Sequence, residues 1–222
     1  MRLIAVGITI VMVMACSSSS ESPDDKPKRR PDIRFVPTPE PLLAKMLSMA
    51  KVGASDIVYD LGSGDGRIVI AAARDFGARG VGIDLDPKLV RIAKENAVKA
   101  GVADRVEFRV GDIFEEDLSQ ATVVTLYLLP RINLKLKPKL FRELKPGSRI
   151  VSQSFDFGDW KPEQTEIVDG NRAFLWTIPE NARELADAPG GAGSRIVPGD
   201  GGPTSGPSDA SRALRPPATP TP

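Results

Sequence analysis

The sequence contains no histidine, and its single cysteine is Cys16. The missing histidines exclude catalytic triads, histidine general bases and histidine-ligated metal sites. A lone cysteine excludes an internal disulfide and leaves no thiolate in the folded part of the chain. Charge is nearly balanced, at a formal net value of +1, so no overall field favours a nucleic acid or an acidic polymer. We therefore expect neither a metal site nor a nucleic-acid partner.

The length of 222 residues and the hydrophobic content of 41% suit one mid-sized α/β domain with tails. Residues 17–32 are rich in Ser, Pro, Asp and Lys without apolar periodicity, which predicts a disordered tether. Residues 180–222 are dominated by Gly, Pro, Ser and Ala, which predicts a disordered tail. The folded domain is therefore expected over residues 33–179, as a monomer.

Residues 1–16 have the pattern of a bacterial lipoprotein signal peptide. An apolar run from Leu3 to Val13 is too short for a comfortable membrane span, and Met14-Ala15-Cys16 and a serine run follow it. This pattern predicts acylation of Cys16 and anchoring to a membrane of the cell envelope. Initiation at Met12 or Met14 is the alternative, because it would delete the signal and leave a cytoplasmic protein.

The most informative stretch is Asp60-Leu61-Gly62-Ser63-Gly64-Asp65-Gly66-Arg67, which joins a predicted strand at 57–61 to a predicted helix. Its glycines allow a sharp turn and the close approach of a ligand. The spacing is neither the G-x-G-x-x-G of dinucleotide-binding folds nor a Walker loop. It resembles the first motif of class I methyltransferases that use S-adenosylmethionine (SAM). That resemblance implies that the loop receives the methionine and ribose end of SAM; a turn without a ligand is the alternative.

Two further strand ends carry carboxylates. Asp84, followed by Leu85, ends the second predicted strand, where a carboxylate can accept hydrogen bonds from both ribose hydroxyls. Helix capping is the alternative role there, although Asp86 fits it better because it directly precedes Pro87. After the third strand, the same resemblance implies that Asp112 binds the adenine amino group and that Ile113 packs on the ring.

The fourth predicted strand, 121–126, delivers Tyr127 to the same sheet edge, where the transferred methyl group should lie. The Asn/Asp-Pro-Pro-aromatic sequence of many amino-methylating enzymes is missing here, which disfavours methylation of adenine or glutamine. A loop over 155–160 follows the fifth strand, and its aromatic residues either line an apolar channel or fill the core. Two segments flanking Asp169-Gly170 then predict an antiparallel hairpin.

Several segments together resemble the small protein-lysine N-methyltransferases of mitochondria and their bacterial relatives. They are Phe35-Val36-Pro37-Thr38-Pro39, the glycine loop, residues 121–130, and Lys145-Pro146-Gly147 leading to Phe155 and Trp160. The resemblance covers about residues 33–178. It implies a Rossmann-like seven-stranded class I methyltransferase sheet with an antiparallel C-terminal hairpin. The known mitochondrial substrates include the c-ring protein of ATP synthase and the adenine nucleotide translocase.

The predicted activity is therefore SAM-dependent methylation of a protein lysine. Tyr127 is the candidate contact to the nitrogen or the sulfonium, Phe155 and Trp160 are candidate channel walls, and Thr38 is a second polar contact. Thr38 is also placed to cap a helix beginning at Pro39, in a segment that is either a lid over the core or part of the site. The alternatives are methylation of a small apolar molecule, such as a quinone or lipid precursor, and a lipid-anchored SAM-binding protein without turnover.

Overall fold

The computed structural model describes residues 35–187, which form an α/β domain around one seven-stranded sheet. The strands are β1 (Ile57–Leu61), β2 (Arg79–Asp84), β3 (Val106–Val110), β4 (Val123–Leu126), β5 (Arg149–Gln153), β6 (Gln164–Val168) and β7 (Asn171–Thr177). The helices are α1 (Glu40–Met49), α2 (Arg67–Phe76), α3 (Pro87–Lys99), α4 (Pro130–Glu143) and α5 (Ala182–Asp187). The predicted signal peptide, Cys16 and the tether lie outside the described residues, as does the tail beyond 187.

The sheet has the strand order β3-β2-β1-β4-β5-β7-β6. Strands β1 to β5 pair in parallel, whereas β7 is antiparallel to both β5 and β6. The chain runs outward from β1 to β3 and then crosses back to β4, so the order reverses beside β1. In open α/β sheets, ligands bind outside the carboxyl ends of the strands at such a reversal. The predicted fold class and its antiparallel hairpin are confirmed.

Apolar layers cover both faces of the sheet, which explains the nearly continuous apolar sequences of its central strands. One layer packs α1 and α2 residues such as Leu42 and Ala72 against Val58. The other packs α4 residues such as Leu136 against Leu126 and Trp176. The sheet is thereby fixed on both sides, and its carboxyl edge stays open for a site.

Helix α4 corrects the prediction that Pro138 breaks the helical stretch after strand four. The helix continues through Pro138 to Glu143. A proline removes one backbone donor, here the partner of the Leu134 carbonyl four residues earlier. Leu134 lies on the exposed side of the helix, with 42% of its surface accessible, so water can replace that donor.

Helix α5 corrects the predicted domain end at 179. Its Ala182 and Ala186 are buried in the same apolar layer as Trp176, which extends the folded domain to at least Asp187. Only one short turn-and-a-half of small apolar side chains faces the core, so composition alone resembles that of the tail. Across 35–187, no helix is both long enough and apolar enough to cross a membrane.

Candidate cofactor and acceptor site

A cavity of about 590 Å³ lies at the carboxyl ends of the parallel strands. Its lining combines the glycine loop, the ends of β2 and β4, and the segment that precedes α1. The lining residues are Phe35, Val36, Thr38, Asp60, Gly62, Ser63, Arg67, Ile68, Asp84, Leu85, Asp86, Leu89, Ile113, Tyr127, Leu128, Leu129, Ile132 and Phe155. Most of the predicted site residues therefore meet in one place.

The glycine loop is bent by left-handed backbone at Gly62, Gly64 and Gly66. The amides of Gly62 and Ser63 both donate to the carbonyl of Ile83, at 2.8 and 3.0 Å, which ties the loop to the end of β2. Gly66 serves packing, because a Cβ there would lie 2.6 Å from the Phe108 ring. The loop thus closes tightly under the cavity, with Gly62 in the lining and Gly66 behind it.

Asp84 holds the loop and faces the cavity. Its Oδ2 accepts the amide of Gly64 and its Oδ1 accepts the amide of Asp86, both at 2.9 Å. Burial is the largest influence on this carboxyl and raises its pKa. Each carboxylate oxygen can accept further hydrogen bonds. Asp86 caps α3 through the amide of Lys88, as predicted, which leaves Asp84 available for a ligand.

Ser63 supplies an independent sign of a polar ligand. Its Oγ is buried and has no hydrogen-bond partner within residues 35–187, although the residue lines the cavity. Buried hydroxyls in native proteins nearly always have a partner. A polar group bound in the cavity would provide one, so the residues present fit a polar cofactor such as SAM.

Asp60 is the most deeply buried carboxyl of the site. Burial raises its pKa to about 7, the neighbouring carboxyls of Asp84 and Asp65 add to that shift, and the hydrogen bond from Thr125 opposes it. Thr125 Oγ1 donates to Asp60 Oδ1 at 2.7 Å from the adjacent position on β4. Near neutral pH this carboxyl is therefore divided between its protonated and charged forms.

The titration of Asp60 predicts a pH-dependent stability for the cofactor-free protein. The pKa is higher in the folded state than in the unfolded state, so the folded protein holds the proton longer and its stability falls as the pH rises from about 4 to about 7. Between pH 5 and 8 the wild type should lose about 2 to 3 kcal/mol relative to Asp60→Asn. Urea unfolding of both proteins at the two pH values measures this. An unchanged difference between them would contradict the assignment.

The segment before α1 crosses the cavity. The Phe35 ring covers the glycine loop so closely that a Cβ on Gly64 would lie 2.1 Å from it. Arg67, which is paired with Asp65, donates from Nη1 to the carbonyl of Thr38 at 3.0 Å. Of the two interpretations of this segment, the structure therefore favours part of the site, with Phe35, Val36 and Thr38 in the lining.

Thr38 corrects one prediction. The N-cap position of α1 is Pro39, and no side chain caps the helix. The Thr38 hydroxyl instead donates to Gln153 Oε1 at 2.7 Å, because the buried end of β5 brings that amide within reach. Its predicted role as a polar contact to the substrate stays a prediction.

The end of the cavity opposite the glycine loop is apolar and aromatic. Tyr127 and Phe155 line it with their ring centroids 6.4 Å apart and their planes 21° from parallel. Leu128, Leu129 and Ile132 complete the wall, and the sequence patterns did not mark them as site residues. Their position directly after β4 and in the first turn of α4 is the signal that could have identified them.

Trp160 is not a channel wall, which corrects its predicted role. It lies outside the cavity lining and packs on Phe141 and Trp176, with centroids 4.7 and 5.8 Å away. Its carbonyl accepts the indole N–H of Trp176 at 2.9 Å. The aromatic loop therefore divides: Phe155 enters the cavity and Trp160 fills the core.

Asp112 also lies outside the cavity lining, although Ile113 is part of it. The Asp112 Oδ1 accepts the amide of Phe114 at 3.0 Å. That bond fixes the turn in which Ile113 reaches the cavity. Contact between Asp112 and an adenine amino group remains a prediction, as do the cofactor contacts of Asp60, Asp84, Leu85 and the glycine loop.

Comparison with known proteins assigns this site to a family. A family model described as the ANTKMT methyltransferase domain matches residues 60–164. A protein-lysine N-methyltransferase of Saccharolobus islandicus is 46% identical over 156 residues, which are 68% of this chain and 97% of that enzyme. The chain belongs to the protein-lysine N-methyltransferase family. A human lysine N-methyltransferase named for the c-ring protein of ATP synthase is 34% identical over 158 residues, which are 71% of this chain and 66% of that protein.

A solved structure also matches this methyltransferase domain. It is the Salinibacter ruber RNA methyltransferase in complex with S-adenosyl-L-homocysteine, with 60% identity and a TM-score of 0.65. The match covers 65% of this chain and 95% of that one. The protein-lysine N-methyltransferase family assignment and this cofactor-product complex make the chain a SAM-dependent methyltransferase.

Proposed function

We propose that the chain transfers the methyl group of SAM to the side-chain amine of a lysine in a protein. The observation that carries this proposal is the 46% identity to a protein-lysine N-methyltransferase over nearly the whole length of that enzyme. The cavity agrees with it, because a polar half formed by Asp84 and Ser63 meets an aromatic half formed by Tyr127 and Phe155.

SAM supplies a methyl group on a positively charged sulfur, so the acceptor must present a neutral amine. A lysine in water has a pKa near 10.4 and is almost fully charged at neutral pH. The apolar lining of Leu128, Leu129 and Ile132 lowers that pKa through desolvation and favours the neutral form. The surrounding water can receive the proton, and the chain therefore needs no histidine base.

Alignment of the two reactants supplies much of the acceleration. Well-oriented groups reach effective molarities of roughly 10⁵ to 10⁸ M. The near-parallel rings of Tyr127 and Phe155 can hold the aliphatic part of a lysine side chain, and the Tyr127 hydroxyl can accept a hydrogen bond from its nitrogen. Thr38, on the far wall, is a second acceptor for the same nitrogen.

Transfer of a labelled methyl group from SAM to a cell extract tests the proposal. The label should become sensitive to protease, remain resistant to nuclease and stay out of the organic phase. Nuclease sensitivity would instead support an RNA acceptor, as the name of the Salinibacter ruber enzyme suggests. Label in the organic phase would support a small apolar acceptor, and SAM binding without any transfer would support a binding protein.

We also propose that the enzyme is monomeric and is tethered to a membrane by a lipid on Cys16. The support is the apolar run and the Ala15-Cys16 sequence within residues 1–16. Mass spectrometry of the mature N-terminus tests the anchor. A diacylglyceryl cysteine would support it, whereas an unmodified start at Met12 or Met14 would show a cytoplasmic enzyme.

A further inference from the structure

The chain bends sharply where it leaves β5. Ser154 has a φ of 65°, in the left-handed region that residues with side chains rarely adopt. Its amide donates to the carbonyl of Arg172 at 2.8 Å, which anchors the bend to β7. Strained residues of this kind persist where their surroundings fix them, and they concentrate at functional sites.

The bend separates two aromatic side chains. Phe155 lines the acceptor end of the cavity. Phe157, two residues later, is fully buried and packs edge-on against Trp176, with their centroids 4.9 Å apart. The backbone between these two residues thus decides which aromatic ring reaches the site.

Asn133 holds that backbone. This fully buried residue of α4 points its Nδ2 at the carbonyl oxygens of Phe155 and Asp156, at 3.2 and 3.4 Å. Nδ2 also lies 3.3 Å from Ser152 Oγ, which itself donates to the Phe155 carbonyl at 2.6 Å. The Phe155 carbonyl is therefore held from two elements, α4 and β5.

The amide of Asn133 contributes only as a donor. Within the described part of the chain its Oδ1 is buried without a hydrogen-bond partner. The flanking core positions on α4, Ile132 and Leu136, are apolar. A buried amide with one unsatisfied end is costly compared with a leucine, so the donor bonds to the bend are what this residue provides there.

These bonds join two walls of the cavity. One wall is formed by Tyr127 and the start of α4, including Ile132, and the other is the Phe155 ring. We propose that Asn133 is a positioning residue that fixes the Phe155 ring relative to Tyr127 and thereby sets the width of the acceptor end. This inference deepens the proposed function and rests on it for the identity of the acceptor.

A spectroscopic test needs no acceptor. With 4-fluorophenylalanine placed at position 155, the ¹⁹F resonance of the otherwise wild-type protein should be a single narrow line. In Asn133→Leu, which keeps the volume and removes the donors, the line should shift, broaden or split. Asn133→Ser, which is too short to reach both carbonyls, provides the same test if the leucine variant fails to fold. Leu136→Val, one turn along the same helix, is the control and should leave the line unchanged.

A kinetic test measures the consequence for transfer. In Asn133→Leu, kcat/KM for a lysine peptide should fall about 10-fold or more, because small misplacements of reacting groups are costly. Its Kd for S-adenosylhomocysteine should stay close to the wild-type value. The ratio of kcat/KM between unmethylated and dimethylated peptides should also change, which a simple loss of stability in Leu136→Val would not cause.

The two tests separate the inference from the proposed function. An unchanged ¹⁹F resonance in both Asn133 variants would overturn the positioning role, whatever the acceptor is. A wild-type enzyme that methylates no lysine peptide would overturn the proposed function, and the ¹⁹F result would still decide the role of Asn133.

Discussion

Replacing Asp84 with alanine should weaken the binding of SAM by roughly 100-fold or more, since hydrogen bonds to a charged group contribute about 1.5 to 3 kcal/mol each. The substitution removes the acceptor of the Gly64 and Asp86 amides, so the glycine loop loses its attachment to the end of β2. It also removes the predicted acceptor for the ribose hydroxyls. Isothermal titration calorimetry with S-adenosylhomocysteine measures the loss.

Two variants sharpen the interpretation of the Asp84 result. Asp84→Asn keeps one acceptor oxygen and should bind with intermediate affinity. Asp112→Ala removes a carboxylate from the neighbouring strand end that lies outside the cavity lining, and it should cost less than Asp84→Ala. Equal losses from Asp84→Ala and Asp112→Ala would contradict the cofactor site as described, and so would unchanged binding by Asp84→Ala.

Replacing Gly66 with alanine should destabilise the fold by at least about 3 kcal/mol, from overpacking and backbone strain together. An added Cβ would lie 2.6 Å from the Phe108 ring and 2.9 Å from the Ala93 Cβ, and both neighbours are buried in the core. The φ of +80° adds strain for any residue with a side chain. Urea unfolding measures the loss.

Gly101 offers a matched control for Gly66. Its φ of +71° is equally left-handed, but no atom lies within 4 Å of an added Cβ. Gly101→Ala should therefore cost only the backbone strain, about 1 to 2 kcal/mol. If both substitutions cost the same, the close packing of the loop against Phe108 would not be what makes Gly66 necessary.

The local features of the site could be predicted from sequence. Asp84 and the glycine loop sit at strand ends, and the alternation of apolar strands and helices sets where those ends meet. Parallel strands bring their carboxyl ends to one edge without any knowledge of side-chain packing. The polar half of the cavity therefore follows from the order of the elements.

The acceptor half depends on contacts that are distant in sequence. Thr38 bonds to Gln153, 115 positions later, so a helix-cap pattern could not reveal its partner. Trp160 lies in the same loop as Phe155, but the direction of each ring depends on the bend at Ser154 and on Asn133. Composition alone cannot tell which aromatic residue faces a cavity and which one faces the core.

Identification of the methylated atom tests the central claim most directly. Protein from a cell extract, labelled by the wild-type enzyme and SAM, would be hydrolysed completely and the labelled product identified by mass spectrometry, with Asp84→Ala as the inactive control. We expect labelled ε-N-methyllysine with the wild type and a loss of roughly 100-fold or more with the variant at limiting SAM. Label recovered as a methylated nucleoside, or equal label with both enzymes, would contradict a lysine methyltransferase that binds SAM through Asp84.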